Sequence, residues 1–223
     1  MIGPAPEDIC NAMKHLAPAA LAAVLAVSAC SVTGDRSGTP EVPFEVVERL
    51  GDDLEIRSYP LRTVAEVRLA PDDGGQNSAF RVLFRYIDGA NDGGAKISMT
   101  TPVETAQGAE IAMTAPVETA QDDAGLRMRF FLPQGMTAAT APQPTDPRVT
   151  LLDLPPRTEA ALRFSGPVRP ARVHDLEPGL RDRLTAAGWQ AEGPVRAYFY
   201  DGPFTLPWLR RNEAVVPVGR VSG

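Results

Sequence analysis

The sequence is poor in the residues that build disulfide frameworks, metal clusters and nucleophilic sites. It contains two cysteines, Cys10 and Cys30, and two histidines among 223 residues. Both cysteines precede the first pattern that is typical of a folded domain, so neither a disulfide nor a zinc cluster is expected inside that domain. The apolar stretch at residues 16–27 is shorter than the roughly 20 residues that a membrane-spanning helix needs.

Clustered positive charge is also lacking. The chain has 22 basic and 28 acidic residues, and Arg210-Arg211 is the nearest approach to a basic block. Since binding to phosphates requires clustered cations, a nucleic-acid partner is not expected. No nucleophile elbow or cysteine–histidine arrangement occurs, so the sequence predicts a protein that is not an enzyme. Glu104 and Glu118 recur at matching positions, and we interpret them as solvent-facing rather than as paired catalytic carboxylates.

The N-terminal residues have the pattern of a targeting signal. After Met13, a cationic residue, the apolar stretch and the small residues Ser28-Ala29 have the order of a secretory signal peptide, which we assign to residues 1–29. Residues 1–12 are interpreted as an upstream extension from a misplaced start codon. Residues 27–30, Val-Ser-Ala-Cys, resemble the lipobox of bacterial lipoproteins.

The lipobox resemblance implies cleavage before Cys30 and acylation of its thiol. More than one acyl chain holds a protein stably on a membrane, so we expect a lipid-anchored protein of the bacterial envelope. Ser31 stands where an inner-membrane retention signal has aspartate, which implies the periplasmic face of the outer membrane in a Gram-negative source. Residues 30–42, rich in Ser, Thr, Gly and Pro, read as a flexible tether. The alternative is a simple secreted protein whose cysteine near the cleavage site is coincidental.

Residues 43–219 carry the patterns of one folded domain. Alternating or clustered apolar residues predict strands at 44–48, 54–59 and 63–69, the first two joined as a hairpin around residues 51–53. A helix follows, capped by Asn77 or Ser78 and closed by Gly89. Its predicted apolar stripe, with spacing i, i+3, i+4, i+7, consists of Phe80, Leu83, Phe84 and Ile87.

An internal repeat comes next. Residues 97–107 recur as residues 111–121, fourteen positions later, and each copy reads as a strand that ends at its proline. The pattern predicts further strands at 126–132, 148–154, 157–164, 197–200 and 213–218. A second helix has a stripe of Val173, Leu176, Leu180, Leu184 and Ala187, with Pro178 off the stripe. Two successive strand–helix–strand–strand units therefore predict an α+β domain with pseudo-twofold symmetry and a mostly antiparallel sheet.

Three segments together resemble the SOUL family of haem-binding proteins: the doubled repeat, the strand Arg129-Phe-Phe-Leu-Pro133 and the ending from Tyr200 to Glu213. In this order they cover about residues 43–218. The resemblance implies a distorted, mostly antiparallel β-barrel flanked by two helices, with relatives among the effector-binding domains of bacterial regulators. It also implies non-catalytic binding of haem or a related tetrapyrrole.

The resemblance further implies where the ligand lies: a hydrophobic cleft between the first helix and the loop before Arg210. Carried onto this sequence, the cleft comprises Phe80, Phe84, Arg85, Phe204, Leu206 and Trp208. Aromatic rings can stack on a flat macrocycle, and Arg85 can pair with a propionate. Arg210, Arg211, Asn212 and Glu213 are expected to fix the loop by charge-assisted hydrogen bonds.

No fixed histidine ligand for haem iron is expected. The one histidine after the signal peptide, His174, lies opposite the apolar stripe of the second helix and reads as a surface residue. Met99 and Met113 have the chemistry of weak axial ligands, but a methionine in a strand more commonly belongs to a core. An effector-type domain that binds other apolar small molecules in the same cleft, and a purely structural envelope protein, stay open as alternatives.

Overall fold

In a computed structural model of the protein, residues 39–70, 73–106, 126–167, 170–201 and 205–221 are described. The predicted signal peptide with Cys30, the second copy of the repeat with Met113 and Glu118, and Phe204 lie outside these residues. The described part contains ten strands, two α-helices and two short 3-10 helices, Asp92–Gly94 and Pro207–Leu209. In chain order the strands and α-helices are β1 Glu45–Arg49, β2 Leu54–Tyr59, β3 Arg62–Leu69, α1 Gly75–Ile87, β4 Thr100–Ala106, β5 Leu126–Phe131, β6 Val149–Leu154, β7 Arg157–Phe164, α2 Pro170–Ala186, β8 Trp189–Ala191, β9 Arg196–Phe199 and β10 Asn212–Arg220.

The strands form one sheet in the order β1-β2-β7-β10-β9-β4-β5-β3-β6, and β8 joins β10. Every pairing between these strands is antiparallel, which confirms the predicted α+β class and sheet type. The barrel is a correction: within the described residues β1 and β6 end the path and do not pair, so the sheet is not closed. Consecutive strands β2 and β3 part at Pro60, which has no backbone N–H to donate.

Helix α1 packs on β5, β3 and β6. It begins after Gly74, whose φ of 90° suits glycine, and therefore starts earlier than the predicted cap at Asn77 or Ser78. The predicted stripe is half right. Leu83 and Ile87 face the sheet, but their buried companions are Ala79, Val82 and Tyr86, and the two phenylalanines of the predicted stripe are exposed. Since seven of the nine residues from 79 to 87 are apolar, periodicity alone did not fix which side faces inward.

Helix α2 packs on β8, β9 and β10. Val173, Leu180 and Leu184 are buried as predicted, and Pro178 lies inside the helix on its exposed side. The sequence did not predict β8, which is only three residues long. The order β3-α1-β4-β5 followed by β7-α2-β8-β9-β10 nevertheless keeps the predicted succession of two similar units.

Pro102 lies inside β4 rather than at its end, which corrects the predicted strand boundary in the first repeat. The register between β4 and β5 shifts between Thr100 and Val103, so the proline sits at an irregularity of the ladder. Proline is tolerated at such a position because no ladder hydrogen bond from its nitrogen is needed there.

The two faces of the sheet have different compositions, because successive strand residues point to opposite sides. Beneath α1 and α2 lie two apolar clusters that include Val67, Phe130, Leu54 and Val216. The other side, here called the inner face, combines a smaller apolar cluster with buried charges. Its buried arginines, glutamates and tyrosines are Arg57, Tyr59, Arg62, Glu66, Glu104, Arg129, Glu159, Arg196, Tyr198, Tyr200 and Glu213.

Candidate functional site

The flank of α1 presents two stacked aromatic rings to solvent. The rings of Phe80 and Phe84 have centroids 6.0 Å apart and an interplanar angle of 15°, and Phe80 also meets Phe130 edge-on at 5.2 Å. Phe80 is 37% exposed and Phe84 45% exposed. Within the described residues, the only other exposed aromatic side chain is Trp208. These three are the aromatic residues of the predicted cleft that the structure describes.

Strand β4 forms the floor of a gap beside this flank. It pairs with β5, on which α1 packs, and with β9, on which α2 packs. Val103 of β4 lies opposite Phe199 of β9, and both side chains are partly buried against the apolar clusters under the helices. Met99, just before β4, is partly buried in the same cluster as Val103. The gap between the helices, defined here by Phe80, Phe84, Val103 and Phe199, therefore has an apolar side on α1 and an apolar floor.

A short turn lies at the end of the sheet that is nearest to Phe80. In this turn, Pro207–Leu209 form a 3-10 helix. The Leu209 N–H donates to the Leu206 carbonyl at 2.9 Å, and the Gly166 N–H donates to the Pro207 carbonyl at 2.8 Å. Phe130 of β5 pairs with Val103 of β4, Val103 pairs with Phe199 of β9, and Phe199 pairs with Asn212, the first residue of β10. These four residues form one row across the sheet.

Phe130 and Asn212 are separated by three strand spacings of about 4.8 Å each, which is roughly 14 Å in all. The turn that carries Leu206 and Trp208 thus lies at the same end of the sheet as Phe80. Leu206 is partly buried, and Trp208 is exposed. The predicted residues Phe80, Leu206 and Trp208 therefore lie toward the same end of the sheet.

Arg85 lies apart from the exposed aromatic pair. One residue along a helix corresponds to a rotation of about 100°, so Arg85 points away from the flank of Phe84. Its side chain is 63% exposed, and its Nη2 atom lies 3.9 Å from Oδ2 of Asp146. Asp146 bonds more closely to Arg148, which is the main cause that lowers the pKa of Asp146 to about 2. Phe80 and Phe84 therefore stack on each other at the surface of α1, and Arg85 is exposed beside them in the sequence with one long ion pair.

Ligands for haem iron are scarce in the described residues. His174 is exposed on α2, in agreement with its interpretation as a surface residue. The described part contains no group of three or more His, Cys, Asp or Glu side chains that could hold a metal ion. Among the residues of or next to the gap, the thioether of Met99 is the one sulfur or imidazole donor that the structure describes. The residues fit a flat apolar ligand, and they offer its iron at most a weak protein ligand.

The inner face holds an ion-pair network that the sequence did not predict. At its centre, Glu159 is fully buried and accepts hydrogen bonds from Arg196 at 2.7 Å, Arg62 at 3.1 Å and the hydroxyl of Tyr198 at 3.3 Å. Burial raises the pKa of Glu159, but the charges of Arg196 and Arg62 outweigh it, so the pKa is lowered. The hydroxyl of Tyr198 has a raised pKa, mainly because of burial.

Glu104 belongs to the same network, which corrects its interpretation as solvent-facing. It is fully buried and lies 3.1 Å from Arg129, 3.2 Å from Arg127 and 3.5 Å from Arg196. The signal that was available in the sequence is the alternation of arginine with apolar residues in Arg127-Met-Arg-Phe, which gives β5 a charged side.

Glu213 anchors the other end of the network and holds the chain that precedes β10. It accepts two hydrogen bonds from Arg57, at 2.7 and 3.0 Å, and one from the hydroxyl of Tyr200 at 2.6 Å. Arg211 bonds both Glu213, at 3.0 Å, and Glu41, at 2.9 Å. The predicted role of this segment in fixing the loop is therefore confirmed.

The comparisons with known proteins agree with this architecture. A family model described as SOUL heme-binding protein matches residues 39–217. A solved structure of an uncharacterised conserved protein from Listeria innocua is similar with a TM-score of 0.55 and 14% identity, covering 75% of this chain and 92% of that chain. The C-terminal domain of EcmrR is similar with a TM-score of 0.52 and 15% identity, over 75% of this chain and 98% of that domain.

EcmrR in a complex with DNA matches with a TM-score of 0.53 and 14% identity, over 75% of this chain and 57% of that chain. At these identities the likeness to solved structures shows a common fold and nothing further. No curated protein sequence matches the chain. Because the family model covers most of its length, the chain belongs to the SOUL family of haem-binding proteins.

Proposed function

We propose that the protein binds haem or a related tetrapyrrole, without catalysing a reaction, in the gap between α1 and α2. The observation that carries the proposal is the exposure of Phe80 and Phe84 on the flank of α1 beside the gap. Apart from Trp208 in the turn, every other aromatic side chain that the structure describes is buried or partly buried. Leaving large apolar rings in water is unfavourable, and exposed apolar residues that lie close together commonly mark a binding site.

The gap suits a flat ligand on physical grounds. The rings of Phe80 and Phe84 are nearly parallel and both exposed, and Val103 and Phe199 supply an apolar floor. An aromatic contact contributes about 0.5–1.5 kcal/mol beyond the burial of area. Bound haem supplies a flat apolar macrocycle and two propionates. Arg85 points away from the ring of Phe84, but its long side chain is 63% exposed and only loosely paired with Asp146, so we assign it to a propionate that extends beyond the aromatic pair.

We further propose that the protein is a carrier or buffer anchored to the bacterial envelope through acylated Cys30. Among the described residues, no helix is long and apolar enough to cross a membrane. Acyl chains on Cys30 provide a different means of attachment, and residues 31–42 then connect the anchor to the domain. The intact mass of protein purified from bacterial membranes tests this part of the proposal, because each acyl chain adds a defined mass to the mature N-terminus.

Titration with haemin, followed by visible absorbance, tests the binding site. We expect Phe84→Ala to raise the dissociation constant about tenfold or more, which corresponds to about 1.4 kcal/mol. The matched control is Leu61→Ala, which removes another exposed apolar side chain, between β2 and β3. Equal affinity in the wild-type protein and both variants would place haem elsewhere and contradict the proposal.

The scarcity of iron ligands favours a second candidate, an effector-type domain for other apolar small molecules. The described residues contain one histidine, His174, and it is exposed on α2 outside the gap. If affinity depends on the rings alone, metal-free protoporphyrin should bind as tightly as haemin. If neither porphyrin binds but a smaller apolar dye does, and Phe84→Ala weakens the dye, the second candidate replaces the first.

A further inference from the structure

We propose that the turn at Trp208 and Leu209 inserts into the surface of the membrane to which the lipid anchor attaches the protein. This inference rests on the proposed acylation of Cys30. Its starting point is the exposure of two adjacent apolar side chains, 68% for Trp208 and 41% for Leu209. Tryptophan is enriched at the boundary between lipid and water, where its ring is apolar and its N–H can still meet a polar partner.

The exposure of the turn is built into the fold. Hydrogen bonds from the Leu209 N–H to the Leu206 carbonyl and from the Gly166 N–H to the Pro207 carbonyl hold its backbone. The contrast with Trp189 is informative. Trp189 is buried, donates its indole N–H to Glu48 at 3.0 Å and is covered by the guanidinium of Arg220. Only one of these two tryptophans is therefore presented at the surface.

The chain enters the fold beside this turn. The Val42 N–H donates to the Thr101 carbonyl at 2.9 Å, and the Thr101 N–H donates to the Pro40 carbonyl at 3.0 Å. Glu41 is paired with Arg211, two residues after Leu209. The point where the tether reaches the domain and the base of the exposed turn are thus joined by one ion pair.

The length of the tether limits how far this entry point can lie from the membrane. Eight residues, 31–38, separate Cys30 from Thr39. Even a fully extended chain spans at most about 3.6 Å per residue, so the entry point stays within roughly 30 Å of the acylated cysteine. The anchor therefore keeps the entry point, and the turn that Glu41 joins to it, within reach of the lipid surface.

The charges beside the turn indicate an apolar contact rather than an electrostatic one. Arg211 is paired with Glu41 and Glu213, and the Nε of Arg210 donates to the Thr205 carbonyl at 2.8 Å. The whole chain is acidic, with a formal charge of −6. Attraction to anionic lipid is therefore weak, and insertion should occur equally in neutral lipid and at high salt.

Membrane contact at Trp208 would also orient the gap. The turn lies at the same end of the sheet as Phe80, so the gap opens near the lipid surface. A tetrapyrrole that is dissolved in the bilayer then reaches the aromatic pair without first crossing water. This deepens the proposed function, because it names the membrane as the source of the ligand.

Quenching of tryptophan fluorescence by brominated lipid tests the inference. The mature acylated protein, which begins at Cys30, is reconstituted into phosphatidylcholine vesicles that carry bromine on their acyl chains. We expect the fluorescence of the wild-type protein to fall by roughly a third or more, since one of two emitting rings meets the lipid. Trp208→Phe should abolish the fall, because Trp189 is shielded, and Leu209→Ser should reduce it.

Val221→Ser is the matched control. Val221 is also exposed but follows the other end of β10, roughly 25 Å away along the strand, so its loss should leave quenching unchanged. Unquenched fluorescence in protein whose mass shows acyl chains would overturn membrane insertion and leave the anchor standing. A mass without acyl chains would instead overturn the anchor, and the inference with it. Haemin titration in the absence of lipid is independent of both outcomes.

Discussion

The two faces of the sheet are stabilised in different ways. Beneath α1 and α2, side chains such as Leu83 and Leu180 are buried among other apolar groups, and the gain comes from removing them from water. On the inner face, Glu159 and Glu213 are equally buried, but each depends on arginines and a tyrosine that satisfy its oxygens. An apolar cluster tolerates the loss of one member better than an ion-pair network does, because a remaining charge cannot stay buried alone.

The largest effect is expected from Glu159→Ala. Removal of this carboxylate leaves Arg62 and Arg196 without their main partner while both are nearly buried. Breaking a buried pair in this way costs about 3–5 kcal/mol. Urea unfolding measures the change in the free energy of unfolding. A loss below about 1 kcal/mol would show that water reaches the inner face and that its ions are effectively solvated.

Leu83→Ala sharpens the comparison on the helix-covered face. This fully buried side chain contributes to the core under α1, and its truncation should cost about 2–5 kcal/mol in the free energy of unfolding. Its neighbour Phe84 provides the matched variant. Because Phe84 is half-exposed, Phe84→Ala should cost about 1 kcal/mol or less while weakening the binding of haemin. Comparable losses from the two variants would mean that Phe84 belongs to the core.

The inner face should also dominate the dependence of stability on pH. The pKa values of Glu159 and Glu213 are lowered from 4.5, since their arginine partners outweigh the effect of burial. The unfolded chain therefore takes up protons first as the pH falls, and the free energy of unfolding drops below about pH 4.5. The pKa values of Tyr198 and Tyr200 are raised above 10.0, mainly by burial, so stability should also fall above pH 10.

The free energy of unfolding, measured across this pH range, tests both the acid limb, below about pH 4.5, and the alkaline limb, above pH 10, of the stability curve. Leu83→Ala should lower the whole curve and keep its shape, because it removes no titrating group. Glu213→Gln should flatten the acid limb. An acid limb of unchanged steepness in Glu213→Gln would count against this residue as a source of the pH dependence.

The smallest effect is expected at the surface. Glu177 and Arg181 form an i, i+4 pair on α2 at 2.7 Å, with both side chains about one third exposed. Such pairs contribute about 0.3–0.5 kcal/mol, so Glu177→Ala should barely change the free energy of unfolding. It is also the control for Glu159→Ala, since each variant removes one glutamate that pairs with arginine.

The sequence predicted local structure well where a pattern had one interpretation. The hairpin of β1 and β2 and the stripe of α2 follow from alternation and from the spacing of leucines. The prediction from sequence was wrong where one pattern allowed two interpretations. Helix α1 is apolar on most sides, so only the contacts with β5, β3 and β6 decide that Val82 is buried and Phe84 is not.

The candidate site was predictable only in part, for a similar reason. The resemblance selected Phe80, Phe84 and Trp208, and the structure shows all three to be exposed. Val103 and Phe199 were missed because they become neighbours only when β4 pairs with β9, far apart in the sequence. The burial of Glu104 was missed for the same reason, since its arginine partners come from β5 and β9.

The position of β10 has a consequence for folding during synthesis. This strand comes last in the described sequence, yet it lies within the sheet and pairs with β7, β8 and β9. A polypeptide that has emerged only as far as β9 therefore has no partner for β8, and β7 and β9 each keep one unpaired edge. We expect the ribosome to release a chain that has not completed its sheet, which would suit the export that we propose.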